Sequence, residues 1–499
     1  MAEPLAELTQ RMQELKDLAG VIGILGWDQE TFMPSKAGEA RAFHLSAMQG
    51  LYHERLTAEP LGEAILAAAA RDDLSPEQRA MVRNLRLERD RAVRVPAALV
   101  RTLAEEQSRS VEAWREARQK KDFELFRPHL ERLTRLKREQ ADALGHGGER
   151  YDALLEGFEP GMRVERLAPL LERLRLRLVP LVREIVESGV RPPDPFAGHS
   201  FDPARQLEIS GRLLRDLGFD LEAGRLDRSV HPFTGGGGHP LDVRLTTRLL
   251  ADNPISGLMS TIHEAGHGLY EQGFDPAWAR TFLAQAPSFG LHESQSRFWE
   301  NCIGRSLPFW KHYLPVLAEA FEPLRGVSPE TIYASVNRVE PSLTRVEADE
   351  VTYNLHVLLR FELELRLMRG ELQPAELPEA WRERMRQSLG IVPPDDVQGV
   401  MQDIHWAWGE FGYFPTYTIG NLYSAMLLER LEAELPGLWD SVERGELAPV
   451  REWMRAKVHR AGYLYEAEDL VERVTGQRLS EEPFVAYLER KYRPLYGIG

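Results

Sequence analysis

The chain has 499 residues with a formal net charge of −15; 43% of its residues are hydrophobic and 28% are charged. A chain of this length can bury a large core, and its composition is that of an ordinary soluble globular protein. The acidity argues against nucleic acid or an anionic membrane as the main partner. No signal region and no run of about 18 apolar residues is visible, and the single cysteine, Cys302, excludes an internal disulfide, so we predict a cytoplasmic protein.

The first part of the chain has the pattern of amphipathic helices. From Leu5 to about Leu144, and again over Leu167–Val190, apolar residues recur at steps of three and four. Ser75-Pro76-Glu77-Gln78 resembles a capping box at a helix start. The break at Pro192–Pro195 is short and not of low complexity, so we interpret it as a lobe boundary rather than a flexible linker. The sequence predicts one domain over residues 1–499, with an N-terminal helical lobe at about 1–195 and a catalytic lobe at about 196–499.

A run of four glycines, Gly235–Gly238, follows His231-Pro232-Phe233 and precedes the alternating stretch Leu241–Arg248. Four glycines can cradle phosphate, but no P-loop Lys-Ser/Thr follows, so a mobile loop or a hairpin is favoured. The alternation predicts a strand. Such a strand can hydrogen-bond to an extended peptide, and its Arg244 or Arg248 can bind a carboxylate or form structural ion pairs.

The next stretch reads His263-Glu264-x-x-His267 inside a predicted helix. Residues four apart lie on one face of a helix, so the two histidines can bind one Zn²⁺, with Glu264 beside the position of a water. The alternative is a pair of histidines without a metal, because so short a motif also arises by chance. Gly266 and Gly268 each cost about 1 kcal/mol of helix stability relative to Ala, which indicates that another backbone or a substrate comes close there.

A catalytic zinc needs three protein ligands and an open position for water. We predict that Asp252 or Asn253 caps the helix with the two histidines, and that a second helix opens at Ser288. This second helix carries His292 and Glu293. Glu293 is the predicted third ligand, because two histidines and a glutamate form a known catalytic set, and His292 is the alternative.

Arg345 lies in a later stretch that is rich in polar residues. It can bind a carboxylate through two hydrogen bonds, or it can belong to an internal ion-pair network with Glu347 or Asp349. The spacing alone does not separate the two interpretations. From Leu422 to Tyr492 the chain is predicted to be helical, without residues that indicate chemistry.

Hydrolysis through a tetrahedral intermediate needs hydrogen-bond donors for the developing oxyanion. His405, Tyr413 and Tyr417 are suitable donors, and Asp403 can orient the histidine. The alternative for each ring is a place in the core, with the histidine held by an ordinary hydrogen bond.

These motifs together resemble the carboxypeptidase Taq family of metallopeptidases. The resemblance spans most of the chain, and Thr344, where the family often has an aliphatic residue, is a departure without chemical consequence. It implies a mainly α, zincin-type fold with a deep substrate groove, one small antiparallel sheet near the active site, and a homodimer. The motifs that carry the resemblance are His231-Pro232-Phe233, Asp242-x-Arg244-x-Thr246, His263-Glu264-x-x-His267, His292-Glu293-Ser294-Gln295, Arg345-x-x-Ala348-Asp349 and Gly399-x-x-Gln402-Asp403-x-His405-Trp406.

The function that the resemblance implies is a zinc-dependent carboxypeptidase of broad specificity, acting on short peptides with a free C-terminus, with Co²⁺ as a possible metal. It also assigns roles within the predicted site. The residues that it assigns are His263, His267 and Glu293 as metal ligands, Glu264 as general base, and Arg345 and Arg244 as substrate-binding residues. We add His231 and Asp242 as predicted substrate-binding residues, and His405, Tyr417 and Tyr413 as the predicted oxyanion donors.

Two other functions remain compatible with the sequence. One is a zinc endo-oligopeptidase with the same chemistry in an open groove, which would tolerate a substrate whose C-terminus is amidated. The other is a non-catalytic helical scaffold whose histidines hold no metal.

Overall fold

A computed structural model describes residues 3–499, which form a mainly α fold with one three-stranded sheet. The helices before the sheet are α1 (Glu3–Thr31), α2 (Gly38–Thr57), α3 (Glu59–Ala69), α4 (Pro76–Arg94), α5 (Ala97–Lys120), α6 (Arg127–Leu144), α7 (Arg150–Leu155), α8 (Val164–Glu187) and α9 (Pro203–Leu217). The strands are β1 (Gly224–Arg228), β2 (Thr234–His239) and β3 (Asp242–Thr247). The mainly α class is therefore confirmed.

The helices after the sheet surround the predicted catalytic residues. They are α10 (Pro254–Gln272), α11 (Phe289–Arg297), α12 (Leu307–Ala320), α13 (Pro329–Val336), α14 (Tyr353–Arg369), α15 (Leu377–Leu389), α16 (Pro415–Glu434), α17 (Leu438–Glu443), α18 (Ala448–Lys457), α19 (Ala467–Thr475) and α20 (Glu482–Tyr496). A π-helical segment, Phe298–Gly304, continues α11. The 3₁₀ turns are Phe123–Leu125, Pro276–Trp278, Glu322–Leu324, Arg345–Glu347, Pro374–Glu376 and His459–Ala461.

Two hydrophobic clusters stabilise these elements. The main cluster collects buried side chains from Ala117 to Tyr496, on both sides of the predicted boundary near residue 195. The smaller cluster lies between the first four helices and includes Leu8, Leu61 and one distant side chain, Phe282.

The predicted capping box at the start of α4 is present. Within residues 3–499, no helix combines the length and apolar character that a bilayer crossing requires.

The sheet has the order β1-β3-β2, with β2 antiparallel and β1 parallel to β3. The predicted antiparallel sheet is therefore a mixed sheet. Alternation identifies a strand but not its neighbours, and here β1 pairs with the strand after next. Because β3 is paired on both sides, its backbone is not free to bind an extended substrate. The predicted role of β3 in binding a substrate backbone is therefore wrong, and β2 is the edge strand nearest α10, the helix that carries His263 and His267.

The glycine run forms β2, so the hairpin alternative is confirmed. Its glycines let α1 approach closely. A Cβ on Gly20 would lie 2.4 Å from the carbonyl oxygen of Gly237, and a Cβ on Gly23 would lie 2.4 Å from that of Gly236. The backbones of α1 and β2 therefore meet with no side chain between them.

Candidate active site

The metal helix, α10, is positioned by its cap and by two glycines. Asn253 is the N-cap, and its Oδ1 accepts a hydrogen bond from a first-turn N–H at 3.0 Å. A Cβ on Gly266 would lie 2.5 Å from the carbonyl oxygen of Gln295, and a Cβ on Gly268 would lie 2.7 Å from the ring of Phe219. The sequence prediction that another backbone comes close at this helix is confirmed, and that backbone belongs to α11.

His263, His267 and Glu293 converge at one point. Their ligand atoms all lie within 4.8 Å of one another, and Glu293 Oε2 is 3.4 Å from His267 Nε2 and 3.8 Å from His263 Nε2. Burial lowers the pKa of His267 to about 3, so its imidazole is neutral. Two imidazoles and one carboxylate form a donor set that suits a divalent metal, so these residues fit the predicted ion.

His292, the alternative third ligand, has a different contact. Its Nε2 lies 3.1 Å from Glu271 Oε1, and its ring stacks on that of His267 with the centroids 4.4 Å apart. The group whose ligand atoms converge contains Glu293 and not His292.

Three residues that the sequence analysis missed support the ligands. Glu300, in the π-helical segment, lies with its Oε2 2.9 Å from His263 Nδ1. Arg297 donates to Glu293 Oε1 at 2.7 Å, and Arg305 donates to Glu300 Oε1 at 3.1 Å. A carboxylate behind a metal-binding histidine orients its ring and fixes its tautomer. The spacing of Glu293, Arg297 and Glu300 at i, i+4 and i+7 was the signal that could have identified them.

The arginines also determine the charge of these buried carboxylates. Burial acts to raise the pKa of Glu293, but Arg297 and His263 hold it well below its usual range. For Glu300, burial is outweighed by the hydrogen bond with His263 and by Arg297, so its pKa is also depressed. Both groups are therefore ionised at neutral pH, which suits the predicted roles of Glu293 as a metal ligand and Glu300 as its supporting carboxylate.

Glu264 is held by the sheet. Thr234 Oγ1, on β2, donates to Glu264 Oε2 at 2.7 Å, a contact that the sequence analysis did not anticipate. Burial raises the pKa of Glu264. The neighbouring His231-Pro232-Phe233 turn is fixed by Thr246, whose Oγ1 accepts from the Phe233 N–H at 2.8 Å. The two motifs before the metal helix are thus one structural unit that presents Thr234 to Glu264.

A cavity of about 910 Å³ lies over these groups. It brings together most of the predicted site residues, namely His231, His263, Glu264, His267, Glu293, Arg345, His405, Tyr413 and Tyr417, and it is also lined by Arg248, Trp408 and Glu410. Two predicted substrate-binding residues are not in its lining. Arg244 pairs with Asp242 at 2.6 and 3.0 Å, and its guanidinium lies 4.8 Å from the centroid of the Trp27 ring.

A second cavity of about 420 Å³ continues the first and shares Phe289 and His292 with it. Ser256 and Ser260, on the N-terminal half of α10, line the first cavity, and Glu271, near its C-terminal end, lines the second. The two cavities therefore follow one face of the metal helix, with the metal-ligand group near its middle.

Arg345 lies on the wall that faces the metal helix. Its Nε and Nη2 donate to Asp403 Oδ1 at 3.0 and 2.8 Å, and its Nη1 donates to Tyr353 at 2.9 Å. Its partner is therefore neither Glu347 nor Asp349. Asp403 is distant in sequence, and only the folded chain brings it to the arginine.

Asp403 is shared by two arginines. Arg360, which is fully buried, donates to Asp403 Oδ2 at 2.6 Å. Burial acts to raise the pKa of Asp403, but Arg360 and Arg345 hold it well below its usual range. Because two guanidinium groups share one carboxylate, this cluster keeps one excess positive charge beside the cavity.

His405 lies between this cluster and the tyrosines. Its Nε2 is 3.3 Å from the hydroxyl of Tyr417, whose ring centroid is 5.2 Å from that of Tyr413. Burial and the charge of Arg345 lower the pKa of His405 to about 3, so its imidazole is neutral. Its Nδ1 is 4.0 Å from Asp403, which is too far for the predicted orienting hydrogen bond, because Asp403 is occupied by the arginines.

The fold and the site define a metal-dependent peptide hydrolase, and comparison with known proteins gives its family. Residues 7–492 match the model of the carboxypeptidase Taq (M32) metallopeptidases. Thermostable carboxypeptidase 1 of Thermus thermophilus is 46% identical over 503 residues, with 98% of each chain covered. Carboxypeptidase 1 of Bacillus subtilis is 35% identical over 492 residues, again with 98% of each chain covered.

Solved structures agree with these matches. The crystal structure of the M32 carboxypeptidase from Deinococcus radiodurans R1 superposes with a TM-score of 0.97 at 41% identity, covering 99% of this chain and all of that one. This chain belongs to the carboxypeptidase Taq (M32) family of metallopeptidases. It is a metallocarboxypeptidase, and the resemblance inferred from its motifs is confirmed.

Proposed function

We propose that the protein is a zinc-dependent carboxypeptidase of broad specificity that releases the C-terminal residue of short peptides. The observation that carries the proposal is one cavity with a metal-ligand set on one wall and an arginine cluster of excess positive charge on the other.

His263, His267 and Glu293 would hold the ion, with Co²⁺ as a possible substitute for Zn²⁺. When bound, the ion supplies Lewis acidity, which polarises the scissile carbonyl and makes a water more acidic. Glu264 accepts the proton of the attacking water and delivers it to the leaving amine. Thr234 orients Glu264 through its 2.7 Å hydrogen bond.

Arg345 binds the terminal carboxylate of the substrate. Its bonds to Asp403 and Tyr353 use three of its five N–H donors, so two remain for a substrate. Arg248 is the second candidate, because it lines the cavity and its side chain has no carboxylate partner within residues 3–499. An arginine held ready for a carboxylate favours a free C-terminus over an amide, which gives exopeptidase selectivity.

His405, Tyr417 and, further along the cavity, Tyr413 donate to the oxyanion. The pKa of His405 is about 3, which leaves a neutral imidazole with one N–H to donate. Burial raises the pKa of both tyrosines, so their hydroxyl groups stay protonated and can donate. His231 borders the cavity and contacts the substrate. Arg244 and Asp242 stay proposed as substrate-binding residues, although they pair with each other on β3 and lie outside the cavity lining.

The remaining parts of the proposal concern the whole molecule. We propose a single domain with lobes at about 1–195 and 196–499, a homodimer, a cytoplasmic location, and no nucleic acid or membrane partner. The family resemblance supports the homodimer, and the net charge of −15 supports the absence of polyanionic partners.

The test uses a blocked dipeptide and a longer peptide, each as the free acid and as the C-terminal amide, before and after treatment with a chelator. We expect release of the last residue from the free acids only, and loss of that release on chelation. Chelator-sensitive internal cuts in acids and amides alike would favour an endo-oligopeptidase. No cleavage by protein that holds no metal would favour a scaffold.

A further inference from the structure

One carboxylate in the cavity has no role in the reaction described above. Glu410 lines the cavity close to Trp408 and Tyr413. Its backbone N–H bonds to the His405 carbonyl oxygen, but its side chain makes no hydrogen bond or ion pair with any of residues 3–499. A carboxylate in a substrate cavity without a partner is available to bind a cation from the substrate.

The surroundings of Glu410 also suit a cation. Burial raises the pKa of Glu410 and the positive charge of Lys137 opposes that shift, so one cation of the protein lies near enough to act on it. Lys137 also approaches a second carboxylate, Glu364, and burial lowers its own pKa to about 8. Lys137 forms no ion pair or hydrogen bond with Glu410 within residues 3–499, so the carboxylate stays open to a cation from the cavity.

Trp408 supplies the second element of a cation site. Its side chain is 44% exposed, an unusual state for so large an apolar ring, and it lines the same cavity as Glu410. An indole face attracts an ammonium or guanidinium group and also packs against the methylenes of a lysine or arginine side chain. An indole and an unpaired carboxylate together recognise a long cationic side chain.

The position of Glu410 relative to Arg345 identifies the substrate residue. The Arg345 guanidinium lies 4.9 Å from the centroid of the Tyr417 ring. The centroids of Tyr417 and Tyr413 are 5.2 Å apart, and those of Tyr413 and Phe289 are 5.7 Å apart. Phe289 borders the second cavity, so this series of rings runs from the carboxylate-binding arginine towards the upstream part of the groove. Glu410 acts on the pKa of Tyr413, at the upstream end of the series.

We propose that Glu410 and Trp408 form a subsite for a lysine or arginine side chain on the residue that precedes the scissile bond. This inference rests on the proposed carboxypeptidase function and on Arg345 as the carboxylate-binding residue. It gives the protein a preference within its broad specificity: peptides with a basic residue next to the last are its better substrates.

The test compares benzyloxycarbonyl-lysyl-alanine with benzyloxycarbonyl-norleucyl-alanine, which differ by one ammonium group. We expect the wild-type protein to have a higher kcat/KM for the lysyl substrate. Glu410→Gln keeps the shape of the side chain and removes its charge, and it should reduce the lysyl-to-norleucyl ratio of kcat/KM by about fivefold to tenfold. Trp408→Leu should reduce the same ratio by a smaller factor, and Glu410→Lys should favour a glutamyl over a lysyl substrate.

Glu347→Gln is the matched control, because Glu347 is an exposed carboxylate outside the cavity lining and its loss changes the net charge equally. It should leave the ratio unchanged. An equal loss for both substrates in Glu410→Gln would show that Glu410 is structural and would overturn the subsite. A changed preference for the released residue, in alanyl-lysine against alanyl-norleucine, would overturn the assignment to the preceding residue. If the wild-type protein cleaves neither substrate, the carboxypeptidase proposal itself fails.

Discussion

The two walls of the catalytic cavity are built from different kinds of structure. The metal wall consists of α10, α11 and the π-helical segment, and its groups follow helical spacings. The facing wall takes Arg345 from a 3₁₀ turn and Asp403 and His405 from an irregular segment. The walls also differ in charge, because Glu264, Glu293 and Glu300 outnumber the two arginines on one side and two arginines share one carboxylate on the other. The difference separates the two tasks that we propose: the metal wall would hold the metal ion, and the facing wall would bind the anionic end of a peptide.

The largest expected effect is on the metal wall. Glu264→Gln should reduce kcat by about 10³-fold, because the amide cannot accept the proton of the attacking water. The metal content of the purified variant should equal that of the wild-type protein, since Glu264 is not a ligand. Elemental analysis and the rate of dipeptide hydrolysis give both values, and full activity in a variant that holds the metal would show that the assigned base is wrong.

The facing wall should respond to the substrate's C-terminus. Arg345→Met should reduce kcat/KM for a free-acid peptide by about 100-fold, because an anionic terminus then meets no cation. The decisive readout is the ratio of kcat/KM for the free-acid peptide to kcat/KM for the amide. Loss of the ion pair with Asp403 alone does not change this ratio. Arg248→Met is the comparison variant. If the ratio falls in Arg248→Met and is unchanged in Arg345→Met, then Arg248 rather than Arg345 binds the terminal carboxylate.

A smaller effect is expected behind the metal wall. Glu300→Gln should weaken metal affinity by about 10-fold to 100-fold, because His263 loses the carboxylate that orients its ring. Competition with a chelator measures the affinity. Activity at saturating metal should be affected less than the affinity, and an unchanged affinity would contradict the supporting role of Glu300.

The contact between α10 and α11 can be tested through stability alone. A Cβ at Gly266 would lie 2.5 Å from a backbone oxygen, so Gly266→Ala should destabilise the protein by about 1–3 kcal/mol in spite of its better helix propensity. Gly211→Ala in α9 is the control, because its Cβ would meet nothing closer than 3.8 Å, and it should stabilise by about 1 kcal/mol. Thermal unfolding measures both, and opposite signs are expected.

The same contrast explains what the sequence could predict. On the metal wall, helical spacing places His263 and His267 on one face of α10, and the known set of two histidines and a glutamate suggested Glu293. The i+7 position of Glu300 relative to Glu293 was available to the same spacing argument. On the facing wall no period relates Arg345 to Asp403, so the sequence suggested the nearby acids Glu347 and Asp349. A tertiary contact across 58 positions is set by packing, which local pattern does not contain.

The sheet shows a similar limit. Alternation located β3, and the glycines correctly suggested a hairpin, but the position of β1 beside β3 depends on the path of the chain between them. The role of Thr234 depended on that topology, because Thr234 lies on β2, the edge strand that contacts Glu264.

The direct backbone contact between α1 and β2 connects the N-terminal helices to the strand beside Glu264. The first helices have their own small hydrophobic cluster, and α1 packs through Gly20 and Gly23 against β2, the strand whose Thr234 bonds to Glu264. Small cooperative units of this kind open before a large core does. We therefore expect heating to inactivate the enzyme at a temperature below that of global unfolding. Glu264 should lose its alignment first, while the metal is still bound.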